Sequence, residues 1–379
     1  MSISASEVAA NNRERGDIVI GQLVSRTGNN PGGKDNEMGA ALAAEEINAA
    51  GGFLGGRRVR ILIEDDETNA DAAVTAFQRL VKEDIAAVVG TSFSNASLAV
   101  IPHAERAQVP HISTGAADAQ VEPVRPYTYM TSLTGRMVAE QLLRYLQHRG
   151  VKRLAVVYDA DSQFAKNGWS KQRALLSKYG IELSVEQAVK VDTQDFSAAV
   201  TGVLNSDAQA VMGWLTGPPA IGFAREYSRV EPRKPLYMSH GVAGPAFVNA
   251  VGKGADGITV ATSLAAVAEQ LPDSEARSVA LAMTKAFDKA YGHPPSQFAI
   301  DGYVAMQLLG AAIARANSDD PKAVQAALDR LQLVTPQGVY RYSASNHSGL
   351  DVDDVAITEI RNGQFVLTDW SRQQLTERK

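Results

Sequence analysis

From position 17 onward the chain repeats one pattern: a short run of β-branched and apolar residues, a polar turn, then an amphipathic stretch of three or four turns. The apolar runs fall at 18–24, 59–63, 86–89, 109–112, 154–158, 210–214, 236–238 and 258–261. Helical stretches separate them at 35–49, 70–83, 95–107, 136–148, 166–179, 196–205, 220–230 and 246–251. Strands that are almost continuously apolar are buried on both faces, as a parallel sheet covered by helices requires, so the pattern predicts an α/β fold. Gly51-Gly52 and Gly180 stand where left-handed helix ends belong, and Asp35 and Ser94 where helix N-caps belong.

Four strand–helix units precede Tyr127 and a second series opens at Val151, which predicts two similar, Rossmann-like doubly wound lobes. After Ala261 the pattern changes to two long Ala-rich helices at 274–291 and 297–316 and a shorter one at 321–331. Short strands follow at 339–342, 355–360 and 365–369, the last two joined by the hairpin signal Asn362-Gly363. Without a low-complexity tether, the lobes are expected to be joined by several short crossovers that permit hinge motion. Residues 1–16 are polar and read as a disordered lead-in. They carry neither a charged n-region nor an apolar core, so an intact signal peptide is not expected there.

Composition narrows the function. At 379 residues, 45% apolar and 21% charged, the chain is of ordinary globular make-up and long enough for two cores. No uninterrupted apolar run approaches the roughly eighteen residues of a membrane span, which points to a soluble protein. A net charge of −5 without a basic block makes nucleic acid an unexpected partner. The absence of cysteine excludes thiol nucleophiles, disulfides, zinc–thiolate sites and iron–sulfur clusters.

Enzyme signals fail one by one. Residues 28–35, GNNPGGKD, match a phosphate-binding loop except at the last position, where Asp35 replaces the hydroxyl that would hold Mg²⁺ and would face the triphosphate. A Gly-rich surface loop is the plainer reading. The six histidines, His103, His111, His148, His240, His293 and His347, are scattered singly, which offers no metal site. No serine has the glycine-flanked spacing of a hydrolase nucleophile. The acidic pairs Glu45-Glu46 and Asp65-Asp66 fall on a helix and at a strand end, where solvation or capping accounts for them. No enzyme, no cofactor and no metal are expected.

Ligands of doubly wound sheets bind beyond the carboxyl ends of the strands. Two such turns are suggestive. Thr91 to Ser97 brings hydroxyls and backbone N–H groups together at a helix start, suited to a carboxylate, and Ser113 to Ala117 is small enough for close approach to the backbone. Ordinary capping explains both turns equally well.

These residues carry a resemblance. The chain from Ile18 to about Asp369 resembles the type I periplasmic solute-binding proteins of the leucine/isoleucine/valine family, the receptors of amino-acid ABC importers. The markers are Ile20-Gly21-Gln22-Leu23 with Thr27-Gly28, Glu45 to Gly52, Gly55-Gly56-Arg57-Arg58, Glu64-Asp65-Asp66, Ala87 to Gly90, Val109 to Ser113 and Thr335 to Gly338, in that order. The resemblance implies two lobes closing on a ligand like a clamp, with crossovers near Leu133, Thr262 and Gly338. Lobe 1 would comprise 17–133 plus 263–338, and lobe 2 would comprise 134–262 plus 339–379. It further implies a monomeric, periplasmic receptor, its signal peptide absent here, that hands a small carboxylate to ABC permease subunits. A cytoplasmic ligand sensor of the same fold is the alternative.

By the same resemblance, Ser94 matches the serine that holds the ligand carboxylate, with Phe93 beside it, and Gly115 matches a backbone contact. Ala117 stands where amino-acid binders often have Thr, and Gly32 where some have an aromatic lid. Phe164 matches the second-lobe aromatic over the ligand, and Trp214 to Thr216 the next contact loop. His240 stands where an acidic residue commonly pairs with the α-ammonium. Arg136 is either a second anion partner from across the cleft or a solvated residue of a first helical turn. With amine-holding groups missing at 117 and 240, the ligand is expected to be a neutral or branched-chain amino acid or, as readily, an aromatic carboxylic acid that lacks the amine.

Overall fold

The structure is a computed structural model that describes residues 16–29, 32–231 and 233–377. The predicted lead-in lies outside the described residues except for Gly16, as do Asn30 and Pro31 of the Gly-rich loop.

Two sheets organise the chain. The first is wholly parallel and pairs β1 (Ile18–Val24), β2 (Val59–Asp65), β3 (Ile85–Val89), β4 (His111–Ser113) and β5 (Thr128–Met130) in the order β2-β1-β3-β4-β5. The second uses β6 (Arg153–Asp159), β7 (Glu182–Val189), β8 (Ala210–Trp214), β9 (Leu236–Met238) and β10 (Thr259–Ser263) in the matching order β7-β6-β8-β9-β10. Each lobe therefore reverses its strand order once, between β1 and β3 and between β6 and β8, and leaves a crevice there. A hairpin of β13 (Val355–Arg361) and β14 (Gln364–Leu367) extends the second sheet antiparallel to β10, turning at Asn362 and Gly363, which both have positive φ. Gly51, Gly52 and Gly180 adopt positive φ as the helix-end pattern requires.

The pattern does not reach every element. β5, β7 and the strand β11 (Gln332–Thr335) carry no predicted counterpart, and the predicted strand end at 369 is instead the start of a helix, Asp369–Glu377. β7 is an edge strand whose residues are mostly half-exposed, so it lacks the continuous apolar signature of its neighbours. The third crossover also differs from the predicted one near Gly338. β12 (Gly338–Arg341) pairs with β11, and Tyr340 and Tyr342 lie against each other near Tyr129 of β5, so the chain returns to the second sheet between Tyr342 and Val355.

Helices α1 (Gly33–Ala49), α2 (Ala70–Leu80) and α3 (Ser94–Ala107) cover the first sheet, and α4 (Gly135–His148), α5 (Gln163–Leu175), α6 (Ser197–Asn205), α7 (Gly217–Tyr227) and α8 (Pro245–Val251) the second. After β10 the chain returns with α9 (Glu275–Tyr291), α10 (Gln297–Ala316) and α11 (Pro321–Leu328). By length and composition α10 could cross a membrane, but 78% of its most apolar 18-residue window is buried within the protein. It runs against α1 at backbone distance: a Cβ on Gly39 would lie 1.9 Å from the Ala299 carbonyl oxygen, and one on Gly302 2.2 Å from that of Asn36. Neither glycine tolerates a side chain, and their absence of bulk sets the position of the first turns of α10 beside the loop after β1.

Candidate ligand-binding site

A cavity of about 320 Å³ lies where the carboxyl ends of the two sheets face each other. Its wall is built from the loops that follow strands in both lobes: Gly28 after β1, Glu67 and Thr68 after β2, Ser92 to Asn95 after β3, Thr114 and Ala116 after β4, and Ser132 after β5. Opposite stand Asp161, Ser162 and Phe164 after β6, Val191 after β7, Thr216 to Pro219 after β8, and His240 and Gly241 after β9. Gln297, Phe298 and Asp301 of α10 complete it.

Ser94 is buried at the start of α3 but does not cap it; Phe93 occupies the cap position without a side-chain bond. The Ser94 hydroxyl instead accepts the backbone N–H groups of Ala116 at 3.2 Å and Ala117 at 3.3 Å. Those bonds use its lone pairs and leave its O–H as a donor at the cavity wall. Thr114 is also buried there, and its hydroxyl has no hydrogen-bond partner. These donors stand on the same wall as the N-terminus of α3, and none of them carries a formal charge. Asp35 likewise is not a cap, because α1 begins two residues earlier, after Gly32.

Across the cavity Phe164 packs edge-on against Trp214 at 5.9 Å and against His240 at 5.4 Å between ring centroids. Trp214 is wholly buried behind Phe164 and donates its Nε1–H to Gln172 at 2.7 Å, so it supports the wall without reaching the cavity. The Thr216 hydroxyl donates to the carbonyl of Gly241 at 2.8 Å, which ties two cavity loops together. His240 is 2% exposed; burial pushes its pKa down to about 3, so the ring is neutral at physiological pH, and its Nδ1 is unpartnered.

The expected contacts at Gly115, Ala117 and Arg136 differ. Gly115 and Ala117 lie behind the wall, where Gly115 donates to Ser113 Oγ at 3.0 Å and the carbonyls of both residues accept from the Gln120 amide. Arg136 does not face the cavity: its half-exposed guanidinium pairs with Glu122 at 3.5 Å, and its backbone N–H bonds the Asp118 carboxylate. The space expected at Gly32 is filled as well, by the ring of Phe298. The sequence pattern does not single out Phe298 or Asp301. A lone aspartate within the apolar stretch of α10 was the available signal. Among the described residues lining the cavity there is no lysine or arginine.

Asn95 bridges the lobes at the cavity. Its Nδ2 donates to the Asp161 carbonyl at 3.1 Å, and its Oδ1 accepts the Gln163 N–H at 2.9 Å. Asp118 makes a further bridge, its backbone N–H donating to Asn167 Oδ1 at 2.9 Å.

A cavity between two doubly wound lobes, lined by strand-end loops of both, agrees with what comparison of the whole chain finds: residues 17–364 match the family described as periplasmic binding protein. The chain belongs to that family. A Leu/Ile/Val-binding protein from Rhizobium johnstonii is 30% identical over 332 residues, covering 86% of this chain and 87% of its own. Among solved structures of periplasmic binding proteins, a branched-chain amino acid transporter substrate binding protein from Streptococcus pneumoniae in complex with isoleucine superposes with a TM-score of 0.80 at 22% identity, covering 92% of this chain and 97% of that one. A solute-binding protein of an ABC transporter from R. palustris in complex with benzoate gives 0.79 at 21% identity, covering 93% and 95%. At those identities the structures establish the common fold.

Proposed function

We propose that this periplasmic binding protein is the solute receptor of an ABC importer, working in the periplasm as a monomer without catalysis or cofactor, and that its ligand is a small carboxylic acid with an apolar, ring-sized body. The observation that carries the reading is the division of the cavity. Neutral donors at Ser94, Thr114 and the start of α3 gather on one wall, while Phe93, Phe164, Phe298, Pro218, Pro219 and Val191 supply apolar surface. Val191, the exposed large apolar side chain among the described residues, belongs to that surface. A neutral, unpartnered His240 suits a ligand hydroxyl or carbonyl better than an ammonium. Relatives named for leucine, isoleucine and valine and fold neighbours holding isoleucine or benzoate support a carboxylate of this size.

A second reading, an α-amino acid, is favoured by Asp159 and Asp301, whose carboxyls border the same cavity. A thermal-shift screen of neutral amino acids, benzoates, cinnamates and short aliphatic acids separates the two. Saturating ligand at one hundred times Kd stabilises the fold by about 2.7 kcal/mol. The matching amides give no shift. Equal shifts from an acid and its amide would remove the carboxylate from the reading.

A further inference from the structure

A second, smaller cavity of about 50 Å³ lies beside the first, where the start of α10 meets the second lobe. Ile221 of α7, Val242 of the loop after β9, and Ala246 and Phe247 of α8 give it an apolar lining, which Asp35 of α1 and Ser296 complete. The two lobes touch there. The Gln297 N–H donates to the Ala243 carbonyl at 2.8 Å, and a Cβ on Gly244 would lie 2.8 Å from the Ser296 Cβ.

Three residues border both cavities: Gly217, Gly241 and Phe298. The two glycines present only backbone, so among the described residues the Phe298 ring is the one side chain common to both spaces. Neither glycine readily takes a side chain that would share this role. Gly217 has a φ of +58°, and a Cβ on Gly241 would lie 3.1 Å from Phe164 Cε1 and 3.2 Å from Thr216 Cβ. The Phe298 ring is backed by Gly32, and its main-chain carbonyl accepts from Asn36 Nδ2 at 3.1 Å.

Polarity sorts the two spaces. The first holds the hydroxyls of Ser94 and Thr114. The second holds one hydroxyl, that of Ser296, which already accepts the Ala299 N–H at 3.3 Å, and the side chain of Asp35. A carboxylate beside Asp35 disfavours an anion, whereas an uncharged apolar group buries surface against Ile221, Val242 and Phe247.

We propose that the second cavity is a subsite for the uncharged apolar tail of a longer acid, and that Phe298 is the specificity-determining residue that closes it off, so that ligand length is limited at its ring. This rests on the carboxylate reading above, which places the anionic end at Ser94 and Thr114. A methylene that meets the ring gains nothing, whereas one that finds apolar room is worth about fourfold in affinity.

Isothermal titration of the full chain with benzoate, phenylacetate, 3-phenylpropanoate, 4-phenylbutanoate and 5-phenylpentanoate reads the limit. In the wild type, affinity falls by about tenfold or more at one step of the series. Phe298→Ala moves that step to a longer acid and raises the ratio of long-acid to benzoate affinity by about tenfold or more. Phe298→Leu moves it the same way by less, and carries the comparison if the alanine variant does not fold. Ile221→Trp added to either variant refills the second cavity from its far side and returns the ratio to near the wild-type value. That reversal separates a subsite from a wall that has only loosened. A wild-type series without a step, an unchanged ratio in the Phe298 variants, or a ratio that stays raised with Ile221→Trp overturns the proposal. Failure of every acid to bind the wild type overturns the reading of an amine-free acid instead, and the series phenylglycine, phenylalanine and homophenylalanine then decides the role of Phe298. Absence of binding in both series overturns both.

Discussion

The ring of Phe298 occupies the place of a side chain at Gly32: a Cβ on that glycine would lie 2.3 Å from Phe298 Cγ. Gly32 has an ordinary φ of −85°, so the requirement for glycine here is space and not backbone conformation. The Phe298 carbonyl is held in turn by Asn36 Nδ2 at 3.1 Å, which couples the start of α1 to the start of α10. The aromatic wall beside this loop is supplied from a helix some 266 positions further along the chain.

Gly32→Ala therefore forces the ring toward the cavity. Overpacking of this kind costs about 1–3 kcal/mol. The variant melts lower and binds benzoate more weakly, while Phe298→Ala with Gly32→Ala restores the melting temperature toward that of Phe298→Ala alone. Differential scanning calorimetry of the two single variants and the double variant checks the coupling; additive losses would mean that the ring yields freely.

Ser94→Ala has two separable effects. It deprives the Ala116 and Ala117 N–H groups of their acceptor, and it removes the donor at the cavity. Loss of a hydrogen bond to a charged group weakens binding by roughly 1.5–3 kcal/mol, on the order of tenfold to a hundredfold. Affinity falls for every carboxylate probe alike, and the ligand-free protein loses stability as well. Isothermal titration beside thermal melts distinguishes this from a residue that only supports the loop, which would lower stability and leave affinity within about twofold.

Arg136→Ala is expected to do little. Its pair with Glu122 is half exposed on both sides and lies outside the cavity, so the contribution to stability is under about 1 kcal/mol and ligand affinity stays within roughly twofold. Asn95→Ala, by contrast, removes two hydrogen bonds between the lobes, each contributing about 1 kcal/mol, and weakens every ligand by on the order of tenfold or more. Binding titrations on both variants check the contrast.

The difference between these two residues shows what the sequence makes legible. Alternation of apolar runs and amphipathic stretches identifies the α/β class because burial on both faces of a parallel sheet leaves a continuous apolar trace in each strand. β5 is three residues long and β7 is an edge strand, so both escape it. The turns after β3 and β4 are legible as cavity loops because doubly wound sheets place ligands beyond their carboxyl strand ends, whereas those after β6, β8 and β9 are reached only through the family resemblance; all five line the cavity. Side-chain direction is not legible: Arg136 heads a helix near the cleft, yet its guanidinium turns outward to Glu122. Phe298 and Asp301 sit on a helix that is apolar nearly all round, and its contact with α1, made through Gly39 and Gly302, joins segments far apart in the chain. No local period encodes that contact.

His240 supplies a prediction about acid. In the unfolded chain an imidazole takes up a proton near pH 6.5, whereas burial in the folded protein keeps His240 unprotonated until about pH 3. Between those values the unfolded state binds more protons, so the stabilisation is fully present above pH 6.5 and is lost as pH falls, by up to about 1.4 kcal/mol per pH unit. His111, buried and pushed down to about 4, adds a slope of the same sign. Asp301 acts oppositely: its folded pKa lies above its unfolded value, so its contribution is present at low pH and fades toward pH 8. Subtracting variant from wild type isolates each residue. His240→Asn lowers the acid slope between about pH 6.5 and 4 and leaves the part due to His111 intact. Urea midpoints across that range measure the difference. An unchanged slope would mean that His240 is protonated in the folded protein, and with that the neutral wall opposite Ser94, on which the amine-free ligand depends, would be lost.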